Sequence, residues 1–181
     1  MTTTLLPRPR PSTAVDAVET HLEEARLAGA HVAAGHLVVL EDRVELTCRA
    51  ALGVVLLACG TGCSAELVTV HVAAGIAMGN RVVLTFVETP EDEVADLVTS
   101  WEEAAPRGVF QAVATPGEAW HLRPGDVLTV AVLMPTALIV DDRRHQHVRC
   151  SDGRHDLPSA LRLLSAPTTT TVPITVSPWR P

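Results

Sequence analysis

LGVVLLACGTGCSAELVTVHVAAGIAMGNRVVLTF, residues 52–86, is the stretch whose reading decides the fold. Residues 52–59 form an unbroken apolar run, the composition of a strand buried on both faces of a parallel sheet. The run ends in Gly60-Thr61-Gly62, and residues 64–78 then read as an alanine-rich helix. Gly79-Asn80 follows, two residues that tolerate the left-handed conformation with which helices commonly end. Residues 81–86, RVVLTF, supply the next strand. A strand, a helix and a second strand in this order imply a right-handed crossover and parallel pairing.

The same alternation continues downstream. Thr89 is the expected helix cap, with Pro90 in the first turn and Glu91, Asp92 and Glu93 at the positive end of the helix. Residues 108–113 read as a strand, and residues 123–126, RPGD, as a turn. The stretches VLTVAVLM and ALIV add strand material on either side of Pro135. Upstream, Val15, Val18, Leu22 and Ala25 recur at helical spacing, in a helix expected to stop near Gly29. Residues 36–40 and 43–49 read as a hairpin turning at Glu41-Asp42. Residues 157–164 suit a short helix, and Pro173 pushes TTTTVPITV toward a sheet edge.

The expected architecture is α/β and Rossmann-like, a mostly parallel sheet flanked by helices with an added β-hairpin or edge strand. Residues 1–12, containing PRPRP, are expected to form a disordered tail, and 13–165 a single domain. Residues 166–181 are expected to form an extended segment serving as edge strand or oligomer contact.

Composition narrows the functions. The chain has 181 residues and a net charge of -7, which argues against neutralising nucleic-acid phosphates. The sequence shows neither a signal-peptide pattern nor a run of 18 apolar residues, so a cytoplasmic protein without a membrane partner is expected. Its four cysteines are too few for a disulfide framework and are expected to be reduced. All 14 basic residues are Arg and there is no Tyr. Schiff-base chemistry on a lysine and Tyr/Lys proton transfer are therefore closed to this chain acting alone.

Residues 49–118 carry LGVV opening a strand, AAGIAMGNRVVL joining helix to strand, ETP before a helix and PRGVFQAV opening another strand. In order and spacing this resembles the nucleotide-binding domain of aldehyde dehydrogenases, without their catalytic domain. The resemblance implies a Rossmann-like fold and an ancestral NAD(P) site. Where the family carries a Pro-Trp-Asn signature whose Asn holds the developing oxyanion, this chain has Gly60-Thr61-Gly62. Where the family has a ribose-binding Lys, it has Thr85, although Glu88 matches the acidic ribose contact. No catalytic-cysteine motif is recognisable. The expectation is a non-catalytic or repurposed relative acting as a small-molecule-binding or assembly subunit, and family precedent adds homo-oligomerisation.

Three sets of residues remain as candidates. Gly60, Thr61 and Gly62, with Glu88, could cradle a nucleotide at a strand-to-helix loop, although GTG is equally a normal tight turn. His145, His147, Cys150 and His155 form HxHxxCxxxxH and could share a divalent metal, against the alternative of a polar surface loop. This cluster also carries the alternative function, a small metal-assisted or acid–base enzyme. Asp141 and Asp142 follow an apolar strand, where α/β sheets present functional groups, and with Cys150 are the candidate catalytic residues; solvated turn residues explain the aspartates equally well. Cys59 and Cys63 read as core-lining thiols, and His31 and His71 as structural histidines.

Overall fold

The computed structural model describes residues 14–114, 126, 128–142, 147–151 and 153–174. Its elements, in chain order, are α1 (Ala14–Ala33), β1 (His36–Val39), β2 (Arg43–Ala51), β3 (Val54–Cys59), α2 (Ala65–Ala77), β4 (Arg81–Phe86), α3 (Asp92–Ala104), β5 (Phe110–Ala112), β6 (Leu128–Met134), β7 (Ala137–Asp142), β8 (His147–Cys150), α4 (Leu157–Leu163) and β9 (Ser165–Pro173). They build two sheets. One has six strands in the order β5-β4-β3-β6-β7-β8; the other has three, β1-β2-β9.

The first four strands of the larger sheet run parallel, and β7 and β8 extend it as antiparallel strands. This is the expected mostly parallel α/β sheet. Pro135 and Thr136 form the turn between β6 and β7, so the chain folds straight back where a doubly wound domain would cross over through a helix. Val55 and Leu57 of β3, Val82 and Leu84 of β4, and Leu133 of β6 join Val68, Val72, Trp101 and Leu161 in one buried core. Val54, Leu56 and Val83 form a smaller cluster on the opposite face. Strands covered on both faces explain why residues 52–59 read as continuous rather than alternating.

Three boundaries differ from the sequence reading. The apolar run is divided, because Gly53 sits at φ 103° and separates β2 from β3. Helix α1 does not stop at Gly29; a Cβ there would lie 3.4 Å from Ala77, so this glycine is a close approach between α1 and α2. The cap of α3 is Glu91 rather than Thr89, and the Glu91 side chain makes no capping hydrogen bond. By contrast, Ser64 caps α2 by accepting the Leu67 N–H at 3.2 Å.

The smaller sheet is antiparallel throughout, with β2 central and β9 at one edge. Two arginines tie it to the body. Arg49 of β2 donates through Nε to Ser165 Oγ at 2.8 Å and through Nη2 to the carbonyls of Ser165 and Arg162. Arg149 of β8 reaches the same Ser165 carbonyl at 2.6 Å. No helix among the described residues is long and apolar enough to cross a membrane.

Candidate functional site

Parallel register brings the carboxyl ends of β3, β4, β5 and β6 to one edge of the sheet. Cys59 stands opposite Phe86 on one side and Leu133 on the other, and Leu84 opposite Ala112. Open α/β sheets bind ligands at such an edge because the loops there diverge. A cleft of about 520 Å³ lies there, between the segment leaving β4, the segment leaving β5 and helix α3. Its walls are Val87, Ala95, Val98, Ala112 and Val113, with Glu88 and Thr89 at the polar side.

A smaller cavity of about 150 Å³ adjoins it across Phe86, Glu88, Thr89 and Pro90, and is bounded by Gly60, Thr61, Gly62, Cys63 and Glu91. The structure thus brings together all four residues singled out for a nucleotide. The residue 60–62 loop is tightly held. Gly60 donates its N–H to the Leu133 carbonyl at 2.8 Å, and the Cys63 thiol donates to the same oxygen at 3.3 Å. A Cβ on Gly62, which has a φ of +79°, would meet Pro135 Cγ at 3.5 Å, so the β6–β7 turn covers the loop.

The thiols beside this loop are poor nucleophiles. Burial pushes the Cys59 thiol well above its usual range, and the neighbouring Cys63 raises it further. Burial is also the main cause raising Cys63, opposed by a hydrogen bond from the Gly60 backbone. Both stay protonated at neutral pH. Thr85 is fully buried with its hydroxyl unpartnered and does not line the cleft.

The remaining candidates lie elsewhere. Because β7 runs antiparallel to β6, its carboxyl end faces the opposite edge of the sheet, with Asp141 across from Val130. Asp141 and Asp142 are therefore remote from the cleft. Asp142 is 2% exposed, and one of its oxygens lies 3.6 Å from the Arg149 guanidinium. Cys150 is exposed on β8, facing away from Arg149 by strand alternation.

His155 packs edge-to-face on His71 of α2, their ring centroids 5.3 Å apart, and both of its ring nitrogens are buried without a partner. The His145 assignment and the His147 side chain lie outside the described residues. Among the described residues no group of three or more His, Cys, Asp or Glu could hold a metal ion.

The cleft itself gave no local sequence signal. Val87, Ala95, Val98, Ala112 and Val113 come from three segments, and each alone reads as ordinary core. Only the register of β4 against β5 assembles them.

No family model matches the chain, and no curated protein matches it. Solved structures do. The chain is similar to an NAD-dependent benzaldehyde dehydrogenase from Corynebacterium glutamicum at 23% identity, over 57% of this chain and 23% of that one, with a TM-score of 0.44. For a succinate-semialdehyde dehydrogenase from Burkholderia pseudomallei the values are 20% identity, 57%, 22% and 0.46. A succinic semialdehyde dehydrogenase from Streptococcus pyogenes, in complex with NADP+, gives 11%, 65%, 27% and 0.48. The structural similarity to aldehyde dehydrogenases is thus partial, and the chain spans about a quarter of their length.

Proposed function

We propose that this chain is a small-molecule-binding subunit, non-catalytic or repurposed, whose ligand occupies the cleft between the β4 and β5 carboxyl ends. The observation that carries the reading is the lining of that cleft: apolar walls, with Glu88 and Thr89 at one side to orient a ligand. Few polar groups on an apolar concavity is the usual make-up of a binding site. The adjoining thiols are held protonated, and the aspartates stand at the far edge of the sheet. Four free thiols suit a reducing, cytoplasmic setting.

Filling the cleft tests this. Val98→Trp should abolish the stabilisation that a bound ligand gives in a thermal-shift screen of planar heteroaromatic compounds, while leaving the fold intact by circular dichroism. Aldehyde-dependent reduction of NAD(P) by the purified chain would overturn the non-catalytic part. Ligand shifts that persist unchanged in the tryptophan variant would overturn the location.

Assembly through the three-stranded sheet is supported independently. Leu37 and Val39 of β1, Leu46 and Val44 of β2, and Val172 of β9 share one face by register, and Leu37, Val39 and Val172 are 58%, 65% and 56% exposed. A face of this kind can be self-complementary across a two-fold axis, and the partner that fits it is a second copy of the chain.

A further inference from the structure

The first turns of α1, α2 and α3 converge on a groove of about 360 Å³. We infer that this groove holds the chain's own segment 7–12, PRPRPS, with Arg8 and Arg10 paired to the carboxylates around it. The groove is separate from the cleft: Glu93, Asp96 and Leu97, which line it, lie on the side of α3 opposite Ala95 and Val98.

The chemistry of the groove is unbalanced. Its floor is apolar, made by Ala17, Val18, Ala65 and Leu97. Around it stand Glu66, Glu93 and Asp96, exposed carboxylates on two helices, none with an ion-pair partner among the described residues. Glu66 and Glu93 sit in first turns, where the helix dipole favours a negative charge. Asp96 lies beyond that turn and repels Glu93, three residues before it on the same face. His21, at the rim, is 4.0 Å from Glu24 of its own helix. Thr69 points to an occupant independently. It lines the groove at 5% exposure, and its hydroxyl makes no hydrogen bond to any described residue, whereas Thr20 and Thr99 each donate to the helical carbonyl four residues back.

Segment 7–12 matches the groove in charge, reach and stiffness. Residues 1–13 contain two arginines and no acidic residue. Ala14, the residue at which α1 begins, is itself part of the lining, so the preceding chain leaves from the rim. At about 3.1 Å per residue of proline-rich chain, Arg10 lies within about 12 Å of Ala14 and Arg8 within about 19 Å. Packed helices are about 8–10 Å apart, so both guanidiniums reach the carboxylates on α2 and α3. Pro7, Pro9 and Pro11 restrict the free segment and reduce the entropy lost on docking, and their rings suit an apolar floor. Each guanidinium offers a carboxylate two parallel N–H donors. Attachment to α1 makes the docking intramolecular, so contacts that are individually weak suffice.

Amide exchange and nitrogen-15 spectra of the full chain test this. Arg8→Glu with Arg10→Glu should shift the Thr69 and Leu97 signals and speed exchange over residues 17–21 by about threefold, the scale of exposed ion pairs. Raising salt from about 0.05 to about 0.5 M should move the signals of the parent the same way. Asp96→Arg alone should also speed exchange. Added to the two arginine substitutions it exchanges the signs, and exchange should return to within about 1.5-fold of the parent. The arginine substitutions and the salt series decide the matter even if Asp96→Arg fails to fold. Thr69 and Leu97 signals indifferent to Arg8 and Arg10 would overturn the inference, as would additive effects in the combined variant. Changes that vanish on dilution would overturn it in favour of a second copy's segment. Saturation of the same signals in the parent by micromolar putrescine would overturn it in favour of an outside cation.

Discussion

Asn80 shows how much one side chain holds in this molecule. It is 1% exposed, and its four amide hydrogen bonds reach three separate elements. Oδ1 accepts the N–H groups of Leu52 and Gly53 at 2.6 and 3.2 Å, while Nδ2 donates to the carbonyls of Gly75 and Leu164 at 3.0 and 2.8 Å. The corner between β2 and β3, the end of α2 and the end of α4 are thereby fixed to one another. Asn80→Ala leaves buried donors and acceptors without that partner, at about 1–3 kcal/mol each. A loss of roughly 3 kcal/mol or more is expected, which lowers the melting temperature by about 10 °C for a chain of this size. Calorimetry checks this; a shift below about 3 °C would show that water replaces the amide.

Also at the residue scale, burial pushes His71 down to about 4 from its usual 6.5, with His155 lowering it slightly and the Leu67 carbonyl opposing. The folded state therefore resists a proton that the unfolded chain accepts. This contribution to stability is fully present above pH 6.5 and is lost as pH falls toward 4, below which it levels off. Its size is on the order of 3 kcal/mol at most. In urea melts across that range, His71→Leu should show a shallower fall in stability than the parent. Parallel curves would place the acid sensitivity elsewhere.

Elements differ in how far their residues announce them. The β3–α2–β4 unit is legible because its signals are local: an apolar run, an alanine-rich helix and a Gly79-Asn80 end. Gly29 misleads because a glycine that stops a helix and one that lets two helices touch look alike in sequence. The cap of α3 misleads because Thr89-Pro90 satisfies a local rule, yet the segment instead shapes the cleft wall. Of the candidate site, the GTG loop was legible as a strand-to-helix junction and Glu88 through the resemblance. The apolar walls and the charge of the cavity were not, since both arise from strand pairing.

The clamp on α4 belongs to the element scale as well. Arg49 and Arg149 both donate to the Ser165 carbonyl just after α4, and burial lowers the pKa of each guanidinium. Arg49→Met removes the link from the three-stranded sheet alone. Amide exchange in β9 should accelerate by about tenfold, equivalent to about 1.4 kcal/mol of local opening, while β3 and β4 stay protected. Uniform acceleration would instead mean that the clamp supports the whole fold.

At the scale of the whole molecule, the α/β body and the three-stranded sheet present different surfaces. The body carries the cleft; the sheet exposes Leu37, Val39, Leu46 and Val172. Light scattering should report an oligomer at micromolar concentration, and Leu37→Glu with Leu46→Glu should yield monomers with an unchanged circular dichroism spectrum. An assembly that survives both substitutions would use another surface.

The pairing of β2 with β9 joins Arg43 to Pro173 and Ala51 to Ser165, segments far apart in the sequence. Contacts so far apart close late in folding, because the intervening chain must first be ordered. As the polypeptide emerges from the ribosome, β2 therefore waits with one open edge until residues 165–173 have appeared. Over that interval a nascent chain can capture the same edge of a neighbour, so a high synthesis rate should favour strand-exchanged aggregates over the native sheet.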